Sequence, residues 1–218
     1  MIKTDSQIQH DVLAELLWEP SIDAASIGVE VKDGVVTLAG HVGSFNEKWE
    51  AESAAQRVGG VKALAIEIDV KLAGSSARTD ADIAHSAANV LDWMTYLPKD
   101  AVKVTVEQGW VTLKGEVDWA FQKEGAQSSL RSLMGVTGVS DQILLKGKVP
   151  TTAVKSDIEV ALQRRAHAEA QDISVSVSGA EDTLAGTVHS LSERSLARRT
   201  AWSTPGVHRV VDHMTVVD

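Results

Sequence analysis

The chain contains no cysteine. Disulfides, thiolate metal sites and cysteine nucleophiles are therefore excluded. No apolar run approaches the roughly 18 residues of a membrane-spanning helix. The stretch from Met1 to His10 lacks the apolar centre of a secretory leader. The expectation is a cytoplasmic protein, peripheral to the inner membrane, and periplasmic only if a leader has been removed. Basic charge is scarce: 21 Lys and Arg stand against 30 Asp and Glu, for a net charge of −9. That argues against nucleic acid as a partner, where a basic footprint is expected. It also gives little bulk attraction to anionic lipid. The deficit is uneven, −6 over residues 1–74, −1 over 75–150 and −2 over 151–218. No Gly-x-Ser-x-Gly elbow, phosphate loop or dinucleotide fingerprint is present. A non-enzymatic protein without a cofactor is expected.

What the chain has is one unit written three times. Val29, Glu30, Val31 and Lys32 alternate apolar and polar, the two-residue period of a half-buried strand. Asp33-Gly34 tolerates the positive φ angles of a two-residue hairpin loop. Val35 to Val42 then forms the return strand. The pattern recurs from Val104 to Val117 and, more loosely, from Val175 to Val188.

Around each hairpin the order is α-β-β-α-β. In the first copy Thr4, Asp5 and Ser6 offer N-cap side chains. Ile8, Val12 and Leu16, with Leu13 and Leu17, form an apolar stripe at helical spacing. Pro20 ends that helix. Ser44 and Glu47 are spaced as a capping box for a second helix, which stops at Gly59-Gly60. Val61 to Val70 makes the third strand. The order restarts at Thr79 with a constant shift of 75 residues: Ile8 falls on Ile83, Trp18 on Trp93, Gly34 on Gly109 and Gly40 on Gly115. In the second copy the strands are expected at 102–107 and 110–117 and the second helix at 120–133. From the third hairpin onward the shift is 146, and Ala180 takes the turn-glycine position, so a wider turn is expected there. The domains read as 1–73, 79–148 and 153–218. Gly40 and Gly115 lack a side chain where a helix can approach the sheet closely. Each unit, at about 70 residues, has a marginal core, so packing between domains is expected.

Each copy carries Val-x-Val, a turn, then a Thr-Leu-x-Gly-x-Val strand, a helix, and Gly-Val ahead of the last strand, although Ala180 stands for the turn glycine in the third. This closely resembles the BON domain (bacterial osmotically inducible and nodulation), over nearly the whole chain. The resemblance implies an α+β fold of three tandem domains, each a three-stranded mixed sheet with two helices on one face. It departs at the third strand, where the family's common asparagine is replaced by Ile66, Asp141 and Asp212. The resemblance further implies association with membranes, particularly anionic phospholipid, and roles in envelope or osmotic stress. Two alternatives stay open: a soluble scaffold or chaperone-like protein, and a monovalent-cation (potassium) sensor.

The candidate contact surface is Trp93, Met94, Tyr96 and Leu97, with Trp18 as counterpart in the first copy. Trp and Tyr favour places where apolar and wet environments meet. The competing reading is that Trp18 and Trp93 cap the local core under their helix ends. Strand alternation points Trp110 away from the core face, where it suits packing on another copy or chain, and Trp119 joins it. The outer sheet face of the third copy, Ser174, Ser176, Thr183, Thr187, Val211, Thr215 and Val217, carries almost no charge and is expected to be covered. Arg164, Arg165, Arg194, Arg198 and Arg199 form either an anion-binding patch or a counter-charge to the acidic first copy. Partners are thus an anionic phospholipid or a membrane-associated protein, with a homo-oligomer allowed. The histidines show no ligand spacing. His10 and His85 occupy equivalent helix positions through duplication, and a metal site from His189, His208 and His213 is set aside.

Overall fold

The structure is a computed structural model that describes residues 3–146, 158, 173–178, 181–204, 207 and 209–217. The chain divides into two compact units. One comprises Met1–Gly40, Glu50–Ile68 and Gly147–Asp218, and the other His41–Trp49 and Asp69–Lys146.

In the first repeat α1 spans Asp5–Trp18, β1 Ile27–Lys32, β2 Val35–Val42, α2 Phe45–Arg57 and β3 Ala63–Val70. In the second, α3 spans Asp80–Asp92, β4 Val102–Glu107, β5 Trp110–Val117, α4 Ala120–Leu130 and β6 Gly138–Leu145. In the third, β7 spans Ile173–Ser178, β8 Glu181–Val188, α5 Leu191–Trp202 and β9 Arg209–Val216. The first helix expected in the third repeat lies outside the described residues, except for Ile158, which is helical and buried. Three separate sheets result, ordered β1-β2-β3, β4-β5-β6 and β7-β8-β9. The hairpin strands pair antiparallel, while β5 with β6 and β8 with β9 run parallel. The chain is α+β, in three tandem repeats.

Local chemistry sets these elements. Thr4 and Gln7 close a capping box on α1, and Thr79 and Asp82 do so on α3. The Thr79 hydroxyl, and then its main-chain N–H, hold the Asp82 carboxyl below its ordinary pKa. Glu47 N–H donates to Ser44 Oγ at 3.1 Å, and Glu47 Oε2 accepts the Gly43 N–H at 2.8 Å. At the hairpins φ is 53° for Asp33 and 79° for Gly34, then 52° for Gln108 and 78° for Gly109. Both central residues are left-handed, as a type I′ turn requires. The third hairpin pairs Ser178 with Glu181, the same span as Lys32 with Val35. The ladder thus registers alike on either side of the turn, whose own residues Gly179 and Ala180, where a wider turn is expected, lie outside the described residues.

The cores repeat in step. Ile8, Val12 and Leu16 are buried on α1, and Ile83, Ala87 and Leu91 on α3. Val36, Leu38 and Val42 on β2 match Val111, Leu113 and Val117 on β5. Burying each such Val or Leu contributes about 1.5–3 kcal/mol. Leu13 and Leu17, expected in the α1 stripe, face solvent instead, Leu17 at 75% exposure. The buried row of α1 is joined by Ala51, Ala54 and Ala55 of α2.

Gly40 and Gly115 are also explained differently. A Cβ on Gly40 would stand 2.1 Å from Ser26 O, and one on Gly115 would meet Ala101 O. The close neighbour is the main chain entering the adjacent strand, not a helix. Their φ angles of 137° and 152° are likewise unsuited to a side chain.

Candidate functional site

The exposed aromatic end of the second repeat is built by the termination of α3. Trp93 is the C-cap, its N–H donating to Asn89 O at 3.1 Å. The next N–H, of Met94, donates to Leu91 O at 3.1 Å. This tight exit turns Met94 and Leu97 onto the second core and leaves Trp93 outside, 87% exposed. The reading of Trp93 as a cap on the local core is thus not met, since its side chain lies outside that core. Trp18, at the end of α1, is 83% exposed. Met94 and Leu97 serve the core, so the exposed set is narrower than the stretch suggested.

Tyr96 has partners. Its ring lies 5.6 Å from that of Phe121, tilted by 56°. Its hydroxyl occupies the space above Gly125, where a Cβ would come within 2.2 Å of the oxygen. The loop is tied to α4 by buried Gln122. Its Nε2 donates to Tyr96 O at 2.7 Å, and its Oε1 accepts the N–H groups of Asp118 and Trp119 at 3.1 and 3.0 Å. Trp119, the N-cap of α4, and Phe121, in its first turn, are both exposed. Phe121 escaped sequence reasoning. Its neighbourhood with Tyr96 comes from the fold, and only its place beside Trp119 hinted at it.

Trp110 points off the core face as alternation predicts and is 51% exposed. It is also used locally. Gly138 is its partner on β6, and a Cβ there would stand 2.3 Å from the Trp110 ring. The indole covers a glycine in the neighbouring strand.

The arginines of the third repeat converge on one acid. Arg194 Nε donates to Asp212 Oδ2 at 2.8 Å, and Arg198 Nε lies 3.8 Å from the same oxygen. Asp212 Oδ1 accepts the Met214 N–H at 2.9 Å. In the second repeat Lys123 and Asp141 repeat this at 3.4 Å, and Asp141 Oδ1 accepts the Ile143 N–H at 2.9 Å. The aspartates that replace the family asparagine thus bond main chain and take a cation from the covering helix. Arg199 is exposed, and Arg164 and Arg165 lie outside the described residues. On the outer face of the third sheet, Ser174, Ser176 and Thr215 are exposed, while Thr183, Thr187 and Val211 are half-buried.

Among the described residues no three His, Asp or Glu side chains come together as a metal site. Among them, too, no helix is long and apolar enough to cross a membrane.

Three repeats of one small α+β unit, with exposed aromatics at helix ends, define a class of tandem modular proteins. The BON domain model matches residues 4–71, 79–147 and 150–218, and the chain belongs to the BON-domain family. It is 30% identical over 151 residues to the osmotically-inducible protein Y of Escherichia coli (strain K12), an alignment covering 65% of this chain and 73% of that one. It is thus a tandem BON-domain protein related to an osmotically inducible protein. Among solved structures, CdsD, a structural protein of the type III secretion system of Chlamydia trachomatis, aligns over 95% of this chain and 91% of its own. The identity is 13% and the TM-score 0.27.

Proposed function

We propose that this protein is a non-enzymatic osmotic-stress protein that associates peripherally with a phospholipid surface. The observation that carries the reading is Trp93, held at a helix end with 87% of its surface exposed. An indole so placed suits the boundary between headgroups and acyl chains. Tyr96 and Phe121 extend the apolar contact on the same repeat. The net charge of −9 opposes attraction to anionic lipid as a whole. Local cations must therefore supply it, and Arg198 of α5, exposed beside Asp212, suits that role as a separate contact of the third repeat. The surface would be the cytoplasmic face of the inner membrane, or a periplasmic one for a secreted form.

Co-sedimentation with vesicles of phosphatidylcholine, with and without phosphatidylglycerol, tests the reading. The native protein is expected to sediment with the anionic vesicles. Trp93→Ala and Arg198→Glu should each lower the bound fraction. No sedimentation, or sedimentation unchanged in both variants, removes the proposal.

A further inference from the structure

In the first repeat a side chain of α1 reaches the outer edge of β1. Gln9 of α1 donates its carboxamide Nε2 to Val29 O at 2.7 Å, and Leu13 follows one turn along. The equivalent positions 75 residues on are Ala84 and Ala88. Alanine has no polar group and cannot span the distance. A groove of about 740 Å³ opens there between α3 and β4, lined by Ala84, Ala88, Leu91, Leu97, Val102 and Val104. That volume is within the usual range for a ligand site.

The strand side of this groove presents main chain. β4 is an edge strand. Glu116 N–H donates to Ala101 O at 3.2 Å, and Val102 stands opposite Gly115. Bonded and non-bonded pairs alternate along an antiparallel ladder. Val102 and Val104 are thus in non-bonded pairs and turn their N–H and C=O away from β5. The Val104 carbonyl is the counterpart of the Val29 carbonyl that Gln9 occupies. Among the described residues no side chain takes that place.

We propose that the groove between α3 and β4 binds an extended peptide segment of a partner protein, which adds to β4 as a further strand. The first repeat shows the chemistry of the seat: an amide N–H on a strand carbonyl. A peptide N–H is the same kind of donor, and the neighbouring N–H and C=O groups of β4 continue the ladder. Ala84 and Ala88 leave room for apolar side chains from alternate residues of the segment. Because α3 walls the groove, a free extended segment fits and the edge of another folded sheet does not. Lys99 and Lys103 balance Asp92 and Asp100 at the rim, so backbone pairing rather than net charge selects the occupant. This site is independent of the lipid reading.

The test uses the full chain and a fluorescein-labelled heptapeptide of alternating valine and threonine with a lysine at each end. Anisotropy should show saturable binding, and amide exchange at Val104 should slow when the peptide is bound. Ala84→Gln restores the plug of the first repeat in a residue type that helices accept. It should weaken binding at least about tenfold, as loss of the seat and its hydrogen bond implies. A peptide N-methylated at alternate residues should not bind. Absence of saturable binding overturns the proposal, as does binding that survives either Ala84→Gln or N-methylation.

Discussion

Asp80 holds Gly109 across the second repeat. Its Oδ1 accepts the Gly109 N–H at 2.9 Å, and its Oδ2 accepts the Gln108 N–H at 2.8 Å. Both turn residues have positive φ, so their N–H groups form a cup suited to an anion. Asp5 grips Asp33 and Gly34 at 2.8 and 3.0 Å in the same way. Each carboxylate also stands in the first turn of its helix, where the macrodipole favours negative charge. Aligning Ile158 with Ile8 puts Lys155 at this position in the third repeat, the copy that also lacks the turn glycine. In that copy's sequence the acid and the turn glycine are missing together.

Asp80→Ala should therefore loosen the hairpin and not the helix alone. Two charge-assisted hydrogen bonds at an exposed site predict a loss of about 1–3 kcal/mol for the second repeat. Faster amide exchange at Gln108 and Gly109 is the signature. Exchange unchanged at both would mean that the clamp contributes nothing.

Trp110 and Gly138 form a coupled pair whose equivalents in the first repeat are Val35 and Ala63. Gly138→Ala alone drives a methyl into the indole and should destabilise. Adding Trp110→Val recreates the pairing of the first repeat and should recover most of the loss. The double-mutant cycle should show coupling of about 1 kcal/mol or more. Additive effects would mean that the ring does not rest on the glycine.

Gly115→Ala should be far more damaging. Its Cβ would collide with Ala101 O, a main-chain atom that cannot rotate away. The φ of 152° adds backbone strain. Loss of the second repeat's cooperative thermal transition is expected, with the other two repeats retained. A variant melting like the native chain would contradict the geometry.

The sequence made the repeats legible because hairpin and caps are local. Two-residue alternation, Asp33-Gly34 and the threonine caps each act within a few positions. Asp80 and Gly109 stand 29 residues apart, and nothing near either announces the other. The close neighbour of Gly40 is hidden from the sequence for the same reason, since the approaching atom belongs to Ser26 on the preceding segment. Asp212 lies on the inward side of β9, where a charge contradicts the apolar pattern until Arg194 is seen beside it. Trp93 could not be assigned from helical spacing, because whether a C-cap residue packs or protrudes depends on the turn that follows.

Asp212→Asn should separate the structural from the binding role of the α5 arginines. The carboxamide oxygen can still accept the Met214 N–H, while Arg194 and Arg198 lose their counter-charge. The third repeat should melt lower, since the half-buried Arg194 is left without its counter-charge. Sedimentation with phosphatidylglycerol vesicles should rise and that with phosphatidylcholine alone should not. No rise would mean that these arginines serve the fold only.

Trp93 fluorescence tests the lipid reading most directly. The difference between the emission of the native protein and that of Trp93→Phe isolates this indole from the other five. On adding phosphatidylglycerol vesicles with brominated acyl chains, the difference spectrum should move to shorter wavelength and be quenched. A difference spectrum unchanged in position and intensity would leave Trp93 in water and contradict insertion.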